Sequence, residues 1–264
     1  MRSAPLPPVA VGDWVDDVEP ATRSHVGGRH ARIPDHRLEE VRRAYFASVM
    51  HVDEQVGRLV AALKASGLDR NTWIIVTSDH GEFLGDHHLF HKFMPLEPAA
   101  RIPLVVRPPA GSAFDRAGSV SDAPVLLTDV MPTILDLASV TPPAGLDGVS
   151  LPRELLPPDA RSAARRMLHI EHHGGLGAFQ CLCDGRVKYI RDGISGREWH
   201  FDLVQDPAEL HDLSAETDLS GFRERLVAIL RPRDDGLVVG GQLATGVRVS
   251  PTAEWVRSSA REVT

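Results

Sequence analysis

The sequence predicts an α/β protein: a parallel sheet flanked by helices, followed by a smaller antiparallel α+β unit. Three observations carry that expectation. Leu38, Val41, Tyr45, Val49, Val52, Val56, Leu59 and Leu63 recur at three- and four-residue steps, the period of an amphipathic helix. Continuous apolar runs follow at Trp73–Val76 and Ile102–Val106, as in strands buried on both faces. The helix-then-strand order implies parallel pairing. From Met167 the character changes to short runs (MLHIE, RVKYI, WHFDL) separated by Gly and Asp turns, the pattern of an antiparallel unit.

Taken in order, residues 1–34 are rich in Pro, Gly and acidic residues without periodicity and read as an irregular lead-in. Pro34-Asp35 opens the long helix, and Ser66-Gly67 stops it, with Gly suited to the left-handed position after the last turn. Residues 125–138 (VLLTDVMPTILDLA) predict a second helix whose main part starts at Pro132, and Pro142, Pro143 and Gly145 break the chain after it. The larger α/β part is expected over 35–160 and the smaller unit over 161–235, with a helix at 222–230. The remainder, 236–264, shows no firm pattern and reads as a tail.

With 264 residues, 42% apolar and 25% charged, the composition is that of an ordinary globular chain. A net charge of −7 gives no global field that would draw the protein onto nucleic acid or an anionic membrane. No window approaches the roughly 18 consecutive apolar residues of a spanning helix. The start MRSAPLPPVAVGDW has no apolar signal core, so the chain as written is expected to be cytoplasmic; an upstream start would carry any signal elsewhere. The two cysteines, Cys181 and Cys183, lie in an extended CLCDG segment that puts both side chains on one face. Without a second pair to complete a zinc site, they read as small buried strand residues.

The chemistry concentrates in TWIIVTSDHGEFLGDHHLFHKFMPLEPAARIPLVVRPP, residues 72–109. Ligands of α/β sheets bind beyond the carboxyl ends of strands, where Asp79 and His80 fall. Asp79 offers a hard oxygen and His80 a nitrogen, Gly81 permits a sharp turn, and Lys92 adds a compact positive charge. Only Lys64, Lys92 and Lys188 are lysines among 29 basic residues, so a lysine in a polar loop hints that a point ammonium is wanted there. This set suits metal-assisted hydrolysis of a tetrahedral anion such as a sulfate or phosphate ester. His87-x-x-x-His91 has helical ligand spacing, but Gly85 argues against a helix, and His87 and His88 are read as incidental in a solvated loop. His169, His172 and His173 around Glu171 form a second polar cluster, read as strand-end surface histidines.

These residues resemble the second metal-binding segment of the sulfatases, in the alkaline-phosphatase superfamily. AYFASVMHVDEQVGRLVAAL resembles the helix before that segment, IIVTSDHGEFLGDH the metal strand and loop, and LFHK with ARIPLVVRPP the substrate-lysine segment and next strand. VLLTDVMPTILDLASVTPPAGLDGVSL resembles the following helix and its Leu-Asp-Gly turn, and RVKYI with WHFDLVQDPAELHDL the C-terminal subdomain. The resemblance implies a partial alkaline-phosphatase-like sheet and hydrolysis of small sulfate esters at a divalent metal, Ca²⁺ by default with Mn²⁺ or Zn²⁺ as alternatives. Asp79 and His80 match metal ligands, and Lys92 matches the catalytic lysine that contacts the sulfate. The Asp-His pairing also resembles the phosphonate monoester hydrolase and phosphodiesterase branch.

Two departures stand out. The family's nucleophile motif, Cys- or Ser-x-Pro-x-Arg, does not occur in the 264 residues. Asp16-Asp17 does not follow a strand, so the first ligand pair is not assigned to it. Leu96-Glu97-Pro98 also differs from the family's aromatic-acidic pattern, with Glu97 retaining the acidic position. The expectation is therefore a truncated or split sulfatase, inactive alone and complemented by an N-terminal half, or else a non-catalytic remnant.

Overall fold

The computed structural model describes residues 5–17, 30–112, 118–151, 167–172, 178–233 and 235–246. The chain divides into two compact units. The larger comprises Met1–Val11, Val15–Lys92 and Pro98–Ala163, and the smaller Gly12–Trp14, Phe93–Glu97 and Ala164–Thr264.

In the larger unit, α1 runs Asp35–Ala65 and ends as its sequence demands, with Gly67 at φ +70° in the left-handed region. Its apolar stripe is largely uncovered by the described residues: Tyr45, Val49, Val52 and Leu59 are exposed, Leu59 by 67%. The residue α1 does bury is Arg42. Strand β1 (Ile74–Thr77) pairs with β2 (Leu104–Arg107), joining Ile74 to Arg107 and Thr77 to Leu104. The pairing is antiparallel, which corrects the expected parallel arrangement of these two strands. The physical reason is the connection between them. An irregular loop, not a helical crossover, leaves the end of β1 and returns to the same end, and only a crossover makes parallel neighbours. Neither strand is buried on both faces, and Val105 is 58% exposed.

The short α2 (Glu97–Ala100) precedes β2, and α3 spans Val130–Leu137, with Pro132 inside its first turn where a missing N–H costs nothing. The buried Asp129 carboxylate accepts from the backbone N–H of Leu126 and of Val149, both at 2.8 Å, tying the Leu146-Asp147-Gly148 turn to the start of α3. Gly148 is required there, because a Cβ would lie 2.0 Å from the Thr128 carbonyl oxygen.

The smaller unit is a four-stranded antiparallel sheet in the order β3 (Leu168–His172), β4 (Phe179–Cys183), β5 (Val187–Asp192), β6 (Glu198–Asp202). Helix α4 (Ser220–Leu230) covers one face, where Leu182 and Tyr189 pack with Leu219, Leu226, Leu230 and Leu237. The alternation of a strand puts Cys181, Ile190, Trp199 and Phe201 on the opposite face, all buried, and the Trp14 ring meets Trp199 edge-on and Phe201 at a tilt. Cys181 and Cys183 are free, buried thiols, as the strand reading expects. Residues 238–243, without a firm sequence pattern, form a hairpin of β7 (Val238–Val239) and β8 (Gln242–Leu243). Among the described residues no helix is long and apolar enough to cross a membrane.

Candidate functional site

β1 delivers the chain into a tight turn built by local bonds. The Ser78 hydroxyl donates to the His80 carbonyl at 2.7 Å, and the His80 N–H donates to Asp79 Oδ1 at 3.0 Å. The turn is stitched to the segment before β2: Gly81 N–H donates to the Ala99 carbonyl at 2.8 Å, and Glu82 N–H to that of Pro98 at 3.0 Å. A Cβ on residue 81 would sit 2.0 Å from the Pro98 carbonyl oxygen, so the approach requires glycine.

This turn brings the three predicted site residues together. His80 Nδ1 lies 2.8 Å from the Gly81 carbonyl, which can only accept, so Nδ1 carries the proton and the Nε2 lone pair is left for a partner. Lys92 Nζ donates to that Nε2 at 2.5 Å, and Asp79 Oδ2 lies 3.3 Å from the same nitrogen. Asp79 is largely solvent-facing, its side chain 79% exposed. Desolvation, the largest single influence, works to raise its pKa, but His80, the backbone N–H groups of the turn and Lys92 together outweigh it and hold the carboxyl below its ordinary value. The arrangement is a carboxylate oxygen, an imidazole lone pair of fixed tautomer and an ammonium, all converging at the end of β1.

The rest of the loop supports that cluster. Glu82 Oε1 accepts from the His91 N–H at 2.6 Å, and Phe83 N–H donates to the His91 carbonyl at 3.1 Å, closing the loop just ahead of Lys92. Arg42, which the sequence did not single out, donates to the carbonyls of Leu84 (3.1 Å) and Pro7 (2.9 Å) and pairs with Asp86 at 3.6 Å. Its only sequence signal is a cation beside the apolar stripe of α1. Leu84, His87, His88 and His91 all adopt positive φ, between 51° and 67°. Four non-glycine residues in this costly region within one loop mark a backbone held by its surroundings.

That backbone corrects the reading of His87 and His88 as solvated. His87 is fully buried with Phe83, Leu89 and Phe90, because its left-handed backbone turns the side chain inward. His88 is half-buried beside His30, and burial together with Arg32 pushes its pKa down. His87 and His91 share no helix. In the second polar cluster, His169 bonds to Gln180 Oε1 at 2.6 Å, Glu171 pairs with Arg233 at 2.8 Å, and His172 packs on Phe179. His173 lies outside the described residues. Among the described residues no three His, Cys, Asp or Glu side chains converge as a metal cage, so Asp79 and His80 form a pair of donors.

A sulfatase family model matches residues 10–140, and a model of the N-sulphoglucosamine sulphohydrolase C-terminal region matches 85–233. The chain belongs to the sulfatase family. An arylsulfatase of Clostridium perfringens (strain 13 / Type A) is 32% identical over 250 residues, covering 93% of this chain and 52% of that protein. An N-acetylglucosamine-6-O-sulfatase of Bacteroides thetaiotaomicron is 31% identical over 207 residues, covering 74% and 36%. This sulfatase-family chain thus spans about half, or less, of the length of these curated relatives. A solved complex with the substrate D-glucosamine-2-N,6-O-disulfate is 32% identical, with a TM-score of 0.58 over 72% of this chain and 39% of the other. The phosphonate monoester hydrolase of Agrobacterium radiobacter is 28% identical, with a TM-score of 0.60 over 74% and 41%. The fold is therefore the α/β fold of the alkaline-phosphatase superfamily.

Proposed function

We propose that this chain supplies the electrophilic half of a sulfate-ester hydrolase. The observation that carries the reading is the convergence of two groups on His80 Nε2, with Lys92 Nζ at 2.5 Å and Asp79 Oδ2 at 3.3 Å. An exposed carboxylate and an imidazole lone pair with its tautomer fixed from behind are a donor set that fits a divalent cation. Asp79 and His80 would hold that metal, with Ca²⁺ favoured by the family resemblance. When bound, a divalent metal supplies Lewis-acid stabilisation of charge on the ester oxygens. Lys92 sits beside the donors with its charge available to a sulfate oxygen, and the Gly81 carbonyl keeps His80 from turning away.

The nucleophile motif does not occur in these 264 residues, so turnover is proposed to require a complementing sulfatase half. The uncovered apolar stripe of α1 and the unpaired outer edges of β1 and β2, among the described residues, support such a partner. The alternative, a phosphonate monoester or phosphodiester hydrolase, is favoured by the Asp79-His80 pairing together with the phosphonate hydrolase relative. Comparing aryl sulfate with phosphate diester turnover by the complemented protein separates the two. No turnover of either, with a complementing half that is active with its own partner, would leave the chain a non-catalytic remnant.

A further inference from the structure

The smaller unit contains a charged cluster that the proposed chemistry does not use. Lys188, on the β5 face opposite α4, is fully buried, its Nζ 2.8 Å from Glu97 Oε1 and 2.7 Å from Glu209 Oε1. Glu209, also fully buried, accepts the Glu97 backbone N–H on Oε2 at 2.7 Å. Its own carbonyl accepts Trp14 Nε1 at 2.8 Å, and its φ is +55°. Burial pushes the Glu209 carboxyl up while Lys188 opposes it, and the two carboxylates hold Lys188 above its ordinary value against desolvation.

Taking two carboxyl groups and an ammonium out of water is costly, and apolar side chains of similar volume would serve stability as well or better. What apolar packing cannot supply is a fixed place for one residue, held by both its side chain and its backbone. Glu97 is that residue. Pro95 and Leu96, just before it, are buried, and Phe93 packs on His172. The segment so held starts at the residue after Lys92. It ends at the residue before Pro98 and Ala99, whose carbonyls receive the Glu82 and Gly81 N–H groups.

We propose that Glu97, Lys188 and Glu209 are positioning residues for the candidate site. By holding residues 93–97 they set the spacing along the chain between Lys92 and Pro98, the residues that flank this segment. The functional meaning rests on the sulfatase reading, but the mechanical claim does not.

The test is amide hydrogen exchange on the 264-residue chain as it stands, comparing Lys188→Met, Glu209→Gln and a control, Leu226→Ala, which opens the α4 core without touching the cluster. The expected result is exchange at Gly81 and Glu82 about tenfold faster in Lys188→Met, and less so in Glu209→Gln. Leu226→Ala should accelerate α4 and leave Gly81 and Glu82 unchanged. Unchanged exchange at those two amides in both cluster variants would overturn the proposal, as would equal acceleration by Leu226→Ala. Should Lys188→Met not fold, Glu209→Gln decides by the same criterion. With a complementing half, the cluster variants are expected to lower kcat with little change in KM. Absent turnover by the unmutated complemented protein would overturn the sulfatase reading and leave the exchange result standing.

Discussion

The two units of this chain bury their side chains in different ways. In the smaller, both faces of a four-stranded sheet are closed, and Leu182, Tyr189, Ile190, Phe201, Leu226 and Leu230 are all but inaccessible. In the larger, a 31-residue helix buries a single residue, an arginine, and the buried side chains gather in the site loop at Phe83, His87, Leu89 and Phe90. The smaller unit is built around a closed core of sheet and helix. The larger is built to hold one loop in an unusual shape while leaving apolar surface open. The difference teaches where truncating an apolar side chain will register: strongly in the closed sheet-and-helix core of the smaller unit, and hardly at all along the open stripe of α1.

The largest contrast is expected between Leu226→Ala and Leu59→Ala. The first empties the core beneath α4 and should cost about 2–5 kcal/mol. The second, on the open stripe of α1, should stay within about 0.5 kcal/mol. Urea denaturation of both variants checks this, and a comparable loss from Leu59→Ala would break the comparison by showing that stripe covered in solution. Next, Lys92→Ala should leave the denaturation midpoint in place while lowering kcat of the complemented protein by about 10²–10³-fold, the scale for loss of one charge-stabilising donor. Gly81→Ala comes third. Forcing a methyl against the Pro98 carbonyl should cost about 1–3 kcal/mol, with exchange at residues 81 and 82 accelerated first.

The smallest effect is a pH dependence confined to the smaller unit. Burial works to raise the Glu198 pKa, but Arg223, bonded at 2.5 and 2.8 Å, and Tyr189 outweigh it, so the folded-state pKa lies below the ordinary 4.5. The stabilisation from a depressed carboxyl is present above the unfolded value and is lost as pH falls through the folded one. Relative to Glu198→Gln, the wild type should therefore lose stability as pH drops below about 4.5. A constant difference between the two denaturation profiles from pH 7 to 3 would contradict this ionic contribution.

Much of this was legible in the sequence, for reasons that are local. The limits of α1 follow from a 3.6-residue period and a glycine at its end, and α4 from the same period at 222–230. Asp79, His80 and Lys92 stood out because a strand, a glycine turn and a compact cation are adjacent in sequence, although their roles still rest on the tests above. The direction of β2 was not legible, since it depends on the path of an irregular loop that carries no periodic signal. Nor was the inward turn of His87, which comes from a backbone angle that no histidine advertises. Lys188 was half-visible. The scarcity of lysine that drew attention to Lys92 applied equally to it, but its partners at 97 and 209 are far away in sequence, and only the fold unites them.

The two thiols give the smaller unit a clock of its own. Cys181 and Cys183 are the only cysteines in the chain, both lie on β4, and burial lifts both above the ordinary thiol pKa. A thiol-alkylating reagent will therefore find almost no reactive sulfur until the sheet opens. The rate at which mass is added then measures breathing of this unit alone. The other unit has no cysteine and contributes no background, so the native protein comes with a site-resolved stability probe and needs no engineered label.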